Sequence, residues 1–467
     1  MVNYLVSEQS LSYLHAKSNC FIGLNHSIST NKLMNKRPIV FLFRAQFGDS
    51  RLQEIASLGT VLHGVAPTDW SWNKDVHAYH GGDIGPDLIQ FAPQDSSFPP
   101  QVWADIAHAS VSCRGAFVVL GEGENLAACI QSVRSVSSSL YQRIDGSWCF
   151  RFFSLGRQDR LHPTERTEKV EKFAEVIDVL HHRPVDLERP AHELWLLEDY
   201  RRKYKVSESP QDAKYFWLLH RIKGSHEDNS GIDKVSQLAL TKRAFINTTT
   251  MSPARGLLLA HLALADSGMT VVDPFCGSGG LLLPAAILGA KVIGSDIDTV
   301  VLSNDRRRLK MPRSNGRPNR GVEAVSIYDN FYELDLAMPL LLPGLDAFDA
   351  ATPEQILRAN GGRLCDAILT DLPYGIRESK PFANIENVEK LLQLAEGILK
   401  TAGRLVFLCV VEGEMSNLHW LAQEQNQQYR ELGVVYGFHL LSLGVERFNA
   451  RLFRLNVVFV RKSIVEA

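Results

Sequence analysis

From about Ser236 onward, short apolar runs alternate with longer stretches in which apolar residues recur at helical spacing. Runs at 270–272, 291–294, 331–334, 366–370 and 403–411 predict five strands. An apolar helix is predicted over 281–288, and a closing hairpin over 434–442 and 452–460. Strands that alternate with helices build a doubly wound, mostly parallel sheet, so this half reads as an α/β, Rossmann-like domain. Pro284 falls inside the predicted helix and fits only near its first turn, where backbone N–H groups lack partners in any case. The first half has a different texture. A strand is predicted over 38–44 and a helix over 52–58 that stops at Gly59. Loops with short strands are expected over 66–100, and strands at 116–120 and 148–153. A polar helix fits 163–179, with Thr164 as cap and Val170, Phe173, Ala174 and Ile177 on one face. The expected organisation is an extension over 1–37, an α+β domain over 38–145, a second small domain and linker over 146–235, and the α/β domain over 236–467.

Composition narrows the classes. A chain of 467 residues with 45% hydrophobic and 22% charged residues has the makeup of an ordinary globular protein. A formal net charge of −2 leaves any nucleic-acid contact to local basic patches. Seven cysteines, with no C-x-x-C pair, argue against a disulfide framework or a zinc site and favour a reducing compartment, so a cytoplasmic location is expected. Residues 1–37 hold one acidic residue, Glu8. They read as an extension without packed structure, the alternative being an organelle transit peptide. The run Met338-Pro-Leu-Leu-Leu342 is too short and proline-broken to span a bilayer.

The first predicted strand of the α/β half runs into Asp273-Pro-Phe-Cys-Gly-Ser-Gly-Gly280. Glycines there let the backbone approach a ligand at the sheet's switch point. The spacing is not the G-x-G-x-x-G of a pyrophosphate site. Asp273 at the strand tip is placed to meet an ammonium such as that of S-adenosylmethionine. Asp296, at the second strand's end, is placed for ribose hydroxyls. Asp335, after 331–334, is placed for an adenine amino group. Phe275, Gly277, Gly279 and Ile297 complete the expected cofactor contacts. A single Asp at a strand end is usually a turn or cap; three at successive strand tips point to a cofactor. The fourth strand ends in Asp371-Leu372-Pro373-Tyr374. Methylation of a planar exocyclic nitrogen needs acceptors for the amine and an aromatic face for the base. Asp371 and the Leu372 carbonyl supply the first, Pro373 fixes the backbone, and Tyr374 supplies the second.

Asp371-Leu-Pro-Tyr-Gly-Ile-Arg-Glu-Ser379 resembles the signature of the eukaryotic tRNA guanosine-10 N2-methyltransferase catalytic subunit, a class I S-adenosylmethionine-dependent enzyme. Phe245-Ile-Asn-Thr-Thr-Thr-Met251 is similar to a segment that lines that family's cofactor pocket, which implies a contact at Thr250. The segment 161–200, ending Pro190-Ala-His-Glu-Leu-Trp-Leu-Leu-Glu-Asp-Tyr200, is similar to its RNA-binding THUMP region. Phe41-Leu-Phe-Arg-Ala-Gln46 with Arg51-Leu-Gln-Glu-Ile55 resembles its N-terminal domain. Leu372 stands where the family has proline. The resemblance implies tRNA as substrate and a small zinc-binding activator protein as partner, paired with an exposed sheet edge at Asn330-Phe331-Tyr332-Glu333, so that the chain alone is poorly soluble or inactive. Zinc belongs to that partner, and no metal site is expected here. Arg306, Arg307, Arg308, Lys310, Arg313, Arg317 and Arg320 form a basic stretch that reads equally as a tRNA contact or a solvated loop; Arg377 and Lys380 follow the predicted catalytic turn. Two other readings stand beside this one. One is the same chemistry on adenine N6, on a guanine N2 of another RNA or on a protein amide. The other is a non-catalytic RNA-binding subunit with this fold.

Overall fold

The computed structural model describes residues 39–44, 47, 50–64, 71–73, 88–92, 100–135, 145–155, 161–200, 213, 215–224, 230–246, 250–302, 326–373, 385–413, 418–449 and 451–463. The N-terminal part contains β1 (Ile39–Phe43), α1 (Ser50–His63), β2 (Ser71–Asn73), β3 (Leu88–Ala92), α2 (Pro100–Ala109), β4 (Cys113–Gly123), α3 (Leu126–Arg134), β5 (Trp148–Leu155), α4 (Pro163–Ala174), β6 (His192–Asp199) and β7 (Tyr215–Gly224). Its strands form one mixed sheet in the order β2-β3-β1-β4-β7-β6-β5. Helices α1 and α2 pack on part of one face through Ile55, Leu58, Trp103 and Ile106. The expected stop at Gly59 does not occur: α1 runs to His63, and Gly64 takes the left-handed conformation that ends it. Thr164 is not the cap of α4; that place belongs to His162, whose ring nitrogen meets the Thr164 hydroxyl at 2.7 Å.

The C-terminal part contains α5 (Gly231–Gln237), α6 (Pro253–Leu262), β8 (Thr270–Asp273), α7 (Leu282–Ile287), β9 (Lys291–Asp296), α8 (Thr299–Leu302), α9 (Ile327–Glu333), β10 (Leu340–Pro343), α10 (Thr352–Ala359), β11 (Cys365–Asp371), α11 (Ile385–Ile398), β12 (Leu399–Glu412), α12 (Leu418–Val435), β13 (Phe438–Arg447) and β14 (Leu452–Arg461). The sheet order is β10-β9-β8-β11-β12-β14-β13. The first five strands are parallel and the closing hairpin is antiparallel. Each face is buried. Val272, Ile293, Ile368 and Phe407 belong to one cluster, while Val271, Val292, Ala367 and Val406 belong to the other. This is the doubly wound, mostly parallel α/β, Rossmann-like architecture the alternation predicts. Pro284 is the third residue of α7, where its missing N–H leaves no bond unmade.

The third strand is a correction. Residues Ile327–Glu333 are helical, opened by a reciprocal capping box in which Ser326 and Asp329 serve each other's backbone. The edge strand is instead Leu340–Pro343, paired with β9. Asn330-Phe331-Tyr332-Glu333 is therefore not a sheet edge. Among the described residues, no helix is long and apolar enough to cross a membrane.

Candidate active site

In a parallel sheet the C-terminal strand ends share one edge, and register fixes what sits there. Asp273 of β8 is level with Gly294 of β9, so Asp296 lies one pleat beyond it on one flank. Val272 is level with Ile368 of β11, so Asp371 lies one pleat beyond it on the other. The three carboxylates thus stand at one edge, and Asp273 feels the charges of the other two.

Asp273 is buried. Its Oδ1 accepts from the Thr370 hydroxyl at 2.7 Å and from the Phe275 N–H at 3.1 Å. Burial pushes its carboxyl up to about 7, against those two hydrogen bonds and with the charges of Asp296 and Asp371 adding to the rise. A buried acid between two further acids favours a cation; a ligand with an ammonium or sulfonium relieves both the desolvation and the repulsion. Asp296 is half-buried and shapes the glycine turn. Its Oδ2 accepts from the Gly277 N–H at 2.9 Å and its Oδ1 from the Asp298 N–H at 2.9 Å. A carboxylate has about four acceptor directions, so capacity remains for ligand hydroxyls. Ile297, beside it, is 67% exposed and offers an apolar surface at the same edge.

Gly277 and Gly279 have φ of +49° and +77°. A Cβ at Gly279 would approach Ile327 at 3.2 Å, whereas one at Gly277 would project into open space. At Gly277 the backbone conformation demands glycine, and the space above it is room for a ligand. Thr250 is brought to this turn, its hydroxyl 2.8 Å from that of Ser278. Met251 packs where a Cβ on Gly280 would sit. The Phe245 backbone is held by both ends of the Asn330 amide at 2.9 and 2.8 Å. Cys276 is buried, and burial pushes its thiol well above the usual range, so it is packing rather than a nucleophile.

On the fourth strand, Asp371 is half-buried at the tip of β11. Leu372 is buried in the core, and its N–H donates to the Leu408 carbonyl at 3.1 Å. That anchor makes Pro373, which is exposed, the first residue to leave the sheet. Tyr374, Arg377, Lys380 and the basic residues Arg306 to Arg320 lie outside the described residues.

Asp335 does not join this group. It follows α9 in a left-handed turn at φ +52°, with its N–H bonded to the Tyr332 carbonyl. It precedes β10, so it lies toward that strand's N-terminal end, opposite the crevice. The acid past the proper end of β10 is Asp346. Gly344 donates to the Asp296 carbonyl at 2.8 Å, which brings 344–346 beside Asp296. Phe348 then packs edge-on to Phe275 with centroids 5.3 Å apart, so Phe275 is held by an aromatic partner at the rim. The Ser326-x-x-Asp329 box and the glycine after Leu-Leu-Leu-Pro were the signals for this arrangement. Among the described residues no cluster of His, Cys, Asp and Glu has the makings of a metal site.

Residues 241–326 match the family described as UPF0020, RMKL-like, methyltransferase domain. The tRNA (guanine(10)-N(2))-methyltransferase TRMT11 of Rattus norvegicus is 31% identical over 233 residues, 47% of this chain and 44% of that protein. The tRNA (guanine(10)-N(2))-methyltransferase of Schizosaccharomyces pombe is 28% identical over 274 residues, 57% of this chain and 49% of that protein. Among solved structures, TrmN from Thermus thermophilus superposes with a TM-score of 0.40 at 17% identity, over 91% of this chain and 99% of that one. A putative methyltransferase complexed with SAH, SMU.472, gives 0.37 at 11% identity, over 91% and 98%. The chain spans about half the length of the curated relatives it matches. Strand order gives the C-terminal half a doubly wound α/β architecture, and its residues 241–326 match a methyltransferase-domain family.

Proposed function

We propose that the chain is the catalytic subunit of a tRNA guanine-N2 methyltransferase that uses S-adenosylmethionine and acts on guanosine 10. The observation that carries this reading is the convergence of Asp273, Asp296 and Asp371 at the sheet's C-terminal edge, with Leu372 anchored behind the last of them. The residues present suit the methyl donor. Asp273 is a buried acid with two further acids, Asp296 and Asp371, beside it, and open space lies over Gly277. Asp273 would hold the ammonium and Asp296 the ribose. Asp346 would take the adenine role that the sequence reading gave to Asp335. Bound there, S-adenosylmethionine supplies an electrophilic methyl group on sulfonium sulfur.

The chain's own part is placement. Asp371 accepts a hydrogen bond from the exocyclic amine, orients its lone pair and takes the proton that becomes acidic as the nitrogen is alkylated. The Leu372 carbonyl holds the second amine hydrogen, and Tyr374 stacks on the base lifted from its helix. Positioning of this kind supplies most of the acceleration for transfer from a sulfonium. The N-terminal half, with its THUMP-like segment, grips the tRNA, and a small zinc-binding activator pairs with β10, the outer strand of the described sheet.

Nucleoside mass spectrometry of tRNA from cells lacking the protein tests the reading: N2-methylguanosine at position 10 disappears and other modified guanosines persist. Retention of that nucleoside overturns the assignment. In vitro, Asp371→Ala abolishes transfer and leaves S-adenosylmethionine affinity within about twofold; equal loss of both removes Asp371 from its role.

A further inference from the structure

We propose that the turn between β13 and β14 is a second RNA contact, where an unpaired base stacks on Phe448 and flanking phosphates meet Arg447 and Arg451. The proposal rests on the reading of the crevice as a site for an RNA base. Register gives the turn its address. Leu452 pairs with Glu412, four residues beyond Leu408, which is the partner of Asp371. Four residues at ~3.3 Å each and two strand spacings of ~4.8 Å put the turn about 16 Å from Asp371 on the same edge of the sheet. That is too far to touch the target base and near enough for nucleotides beside it.

Phe448 is 45% exposed, and the turn that carries it is tightly bonded. The Leu452 carbonyl accepts from the N–H groups of Phe448 and Asn449 at 2.9 and 3.1 Å, and the Asn449 side-chain oxygen accepts from those of Arg451 and Leu452, both at 2.9 Å. The Arg451 carbonyl accepts from the Gly413 N–H at 3.0 Å, tying the turn to the end of β12. An exposed ring on so constrained a turn is held out by the backbone. Arg454 lies over one of its faces with its guanidinium 4.3 Å from the centroid, a cation–π contact that steadies the ring. Arg447 and Arg451 are exposed. Glu446 does not offset them, because Arg255 engages both its oxygens at 2.6 and 2.8 Å; the exposed Glu412 is the facing acid by register. Guanidiniums beside an aromatic platform fit a single-stranded or bulged nucleic-acid segment by charge and by stacking.

The test uses the full chain, with its activator if the two copurify, and whole tRNA. Phe448→Ala, Phe448→Trp and the double variant Arg447→Ala/Arg451→Ala all alter exposed positions, and the fold tolerates each. Phe448→Ala weakens tRNA binding by about 5- to 150-fold, and Phe448→Trp restores it. The double variant flattens the slope of log K against log salt by roughly 1.4 to 1.8. In both cases KM for tRNA rises while kcat and S-adenosylmethionine affinity hold. Wild-type tRNA affinity and salt slope in these variants overturn the proposal, as does loss of a protein partner with RNA affinity unchanged. If the unaltered chain neither binds nor methylates RNA, the reading of the crevice falls and this site with it.

Discussion

Asp273 makes the charge of the crevice measurable. Its carboxyl is raised from 3.8 to about 7, first by burial and then by the facing charges of Asp296 and Asp371, despite the Thr370 hydroxyl and the Phe275 N–H. Below pH 7 the ligand-free protein therefore holds a proton there. A cationic ligand needs the ionised form, so binding expels that proton, and affinity falls about tenfold for each pH unit below 7. Between pH 7 and 5.5 S-adenosylmethionine should weaken roughly fifteenfold, about 1.6 kcal/mol. Calorimetry in buffers of different ionisation enthalpy should count nearly one proton released per ligand at pH 5.5 and almost none well above 7. Asp273→Asn should bind weakly at every pH, with a flat profile. A flat wild-type profile, or a slope that survives in Asp273→Asn, refutes the reasoning. The ligand-free protein's stability has the opposite pH dependence. A folded-state value above the unfolded one gives stability that is full below about 3.8 and lost as pH rises through about 7, on the order of 4 kcal/mol. The thermal shift produced by the ligand should therefore be larger at pH 7.5 than at pH 5.5.

Other perturbations separate site from scaffold. Gly277→Ala places a side chain at φ +49° with no clash, so it should cost about 1–2 kcal/mol of stability in thermal denaturation. The same substitution should weaken S-adenosylmethionine binding by more than that cost; unchanged affinity would show that the space over the turn is not used. Asp346→Ala should weaken the cofactor severalfold, while Asp335→Ala leaves it within error in the same titration. The reverse order would restore the sequence-based assignment. Glu54→Gln should lower unfolding free energy by about 3 kcal/mol in urea titrations, because it removes one partner of a buried charged network. A change below ~0.5 kcal/mol would make that network incidental.

The parallel core was legible because a strand covered on both faces is a short, nearly continuous apolar run, as Thr270–Asp273 and Cys365–Asp371 are. Strand ends then gave Asp273, Asp296 and Asp371 directly. The edge strand was not legible. Leu340–Pro343 is brief and flanked by proline, whereas Phe331-Tyr-Glu-Leu334 has the alternation of a strand. The capping box at Ser326 and Asp329 decides for helix locally, and burial of Asn330 and Phe331 against the sheet completes it. Asp335 was misplaced as a consequence of that one substitution of elements. Gly59 misled in a different way. It is buried in the interior of α1, where packing outweighs its ~1 kcal/mol helix penalty.

Periodicity gave least warning of how the two halves meet. Ser50, Glu54 and Ser57 fall one and two turns apart on α1, a spacing that marks one helix face. All three are buried. Each is met by a different element of the C-terminal half: Ser50 by the Asn456 amide at 2.6 Å, Glu54 by His261 at 2.7 Å, and Ser57 by Arg404 at 3.1 Å. Burial pushes the Glu54 carboxyl up, but bonds from His261, Ser112 and the Val111 N–H bring it below the ordinary range, so the acid stays ionised. Burial lowers Arg404 to about 10, which leaves it charged at neutral pH, with the Leu262 carbonyl as a second acceptor at 2.6 Å. An apolar contact of the same size tolerates sliding; three directional bonds to three elements do not. Whatever the N-terminal sheet grips is then held at one distance from Asp371. The proposed selection of a single position in a folded RNA requires that property, and a domain on a loose tether would lack it.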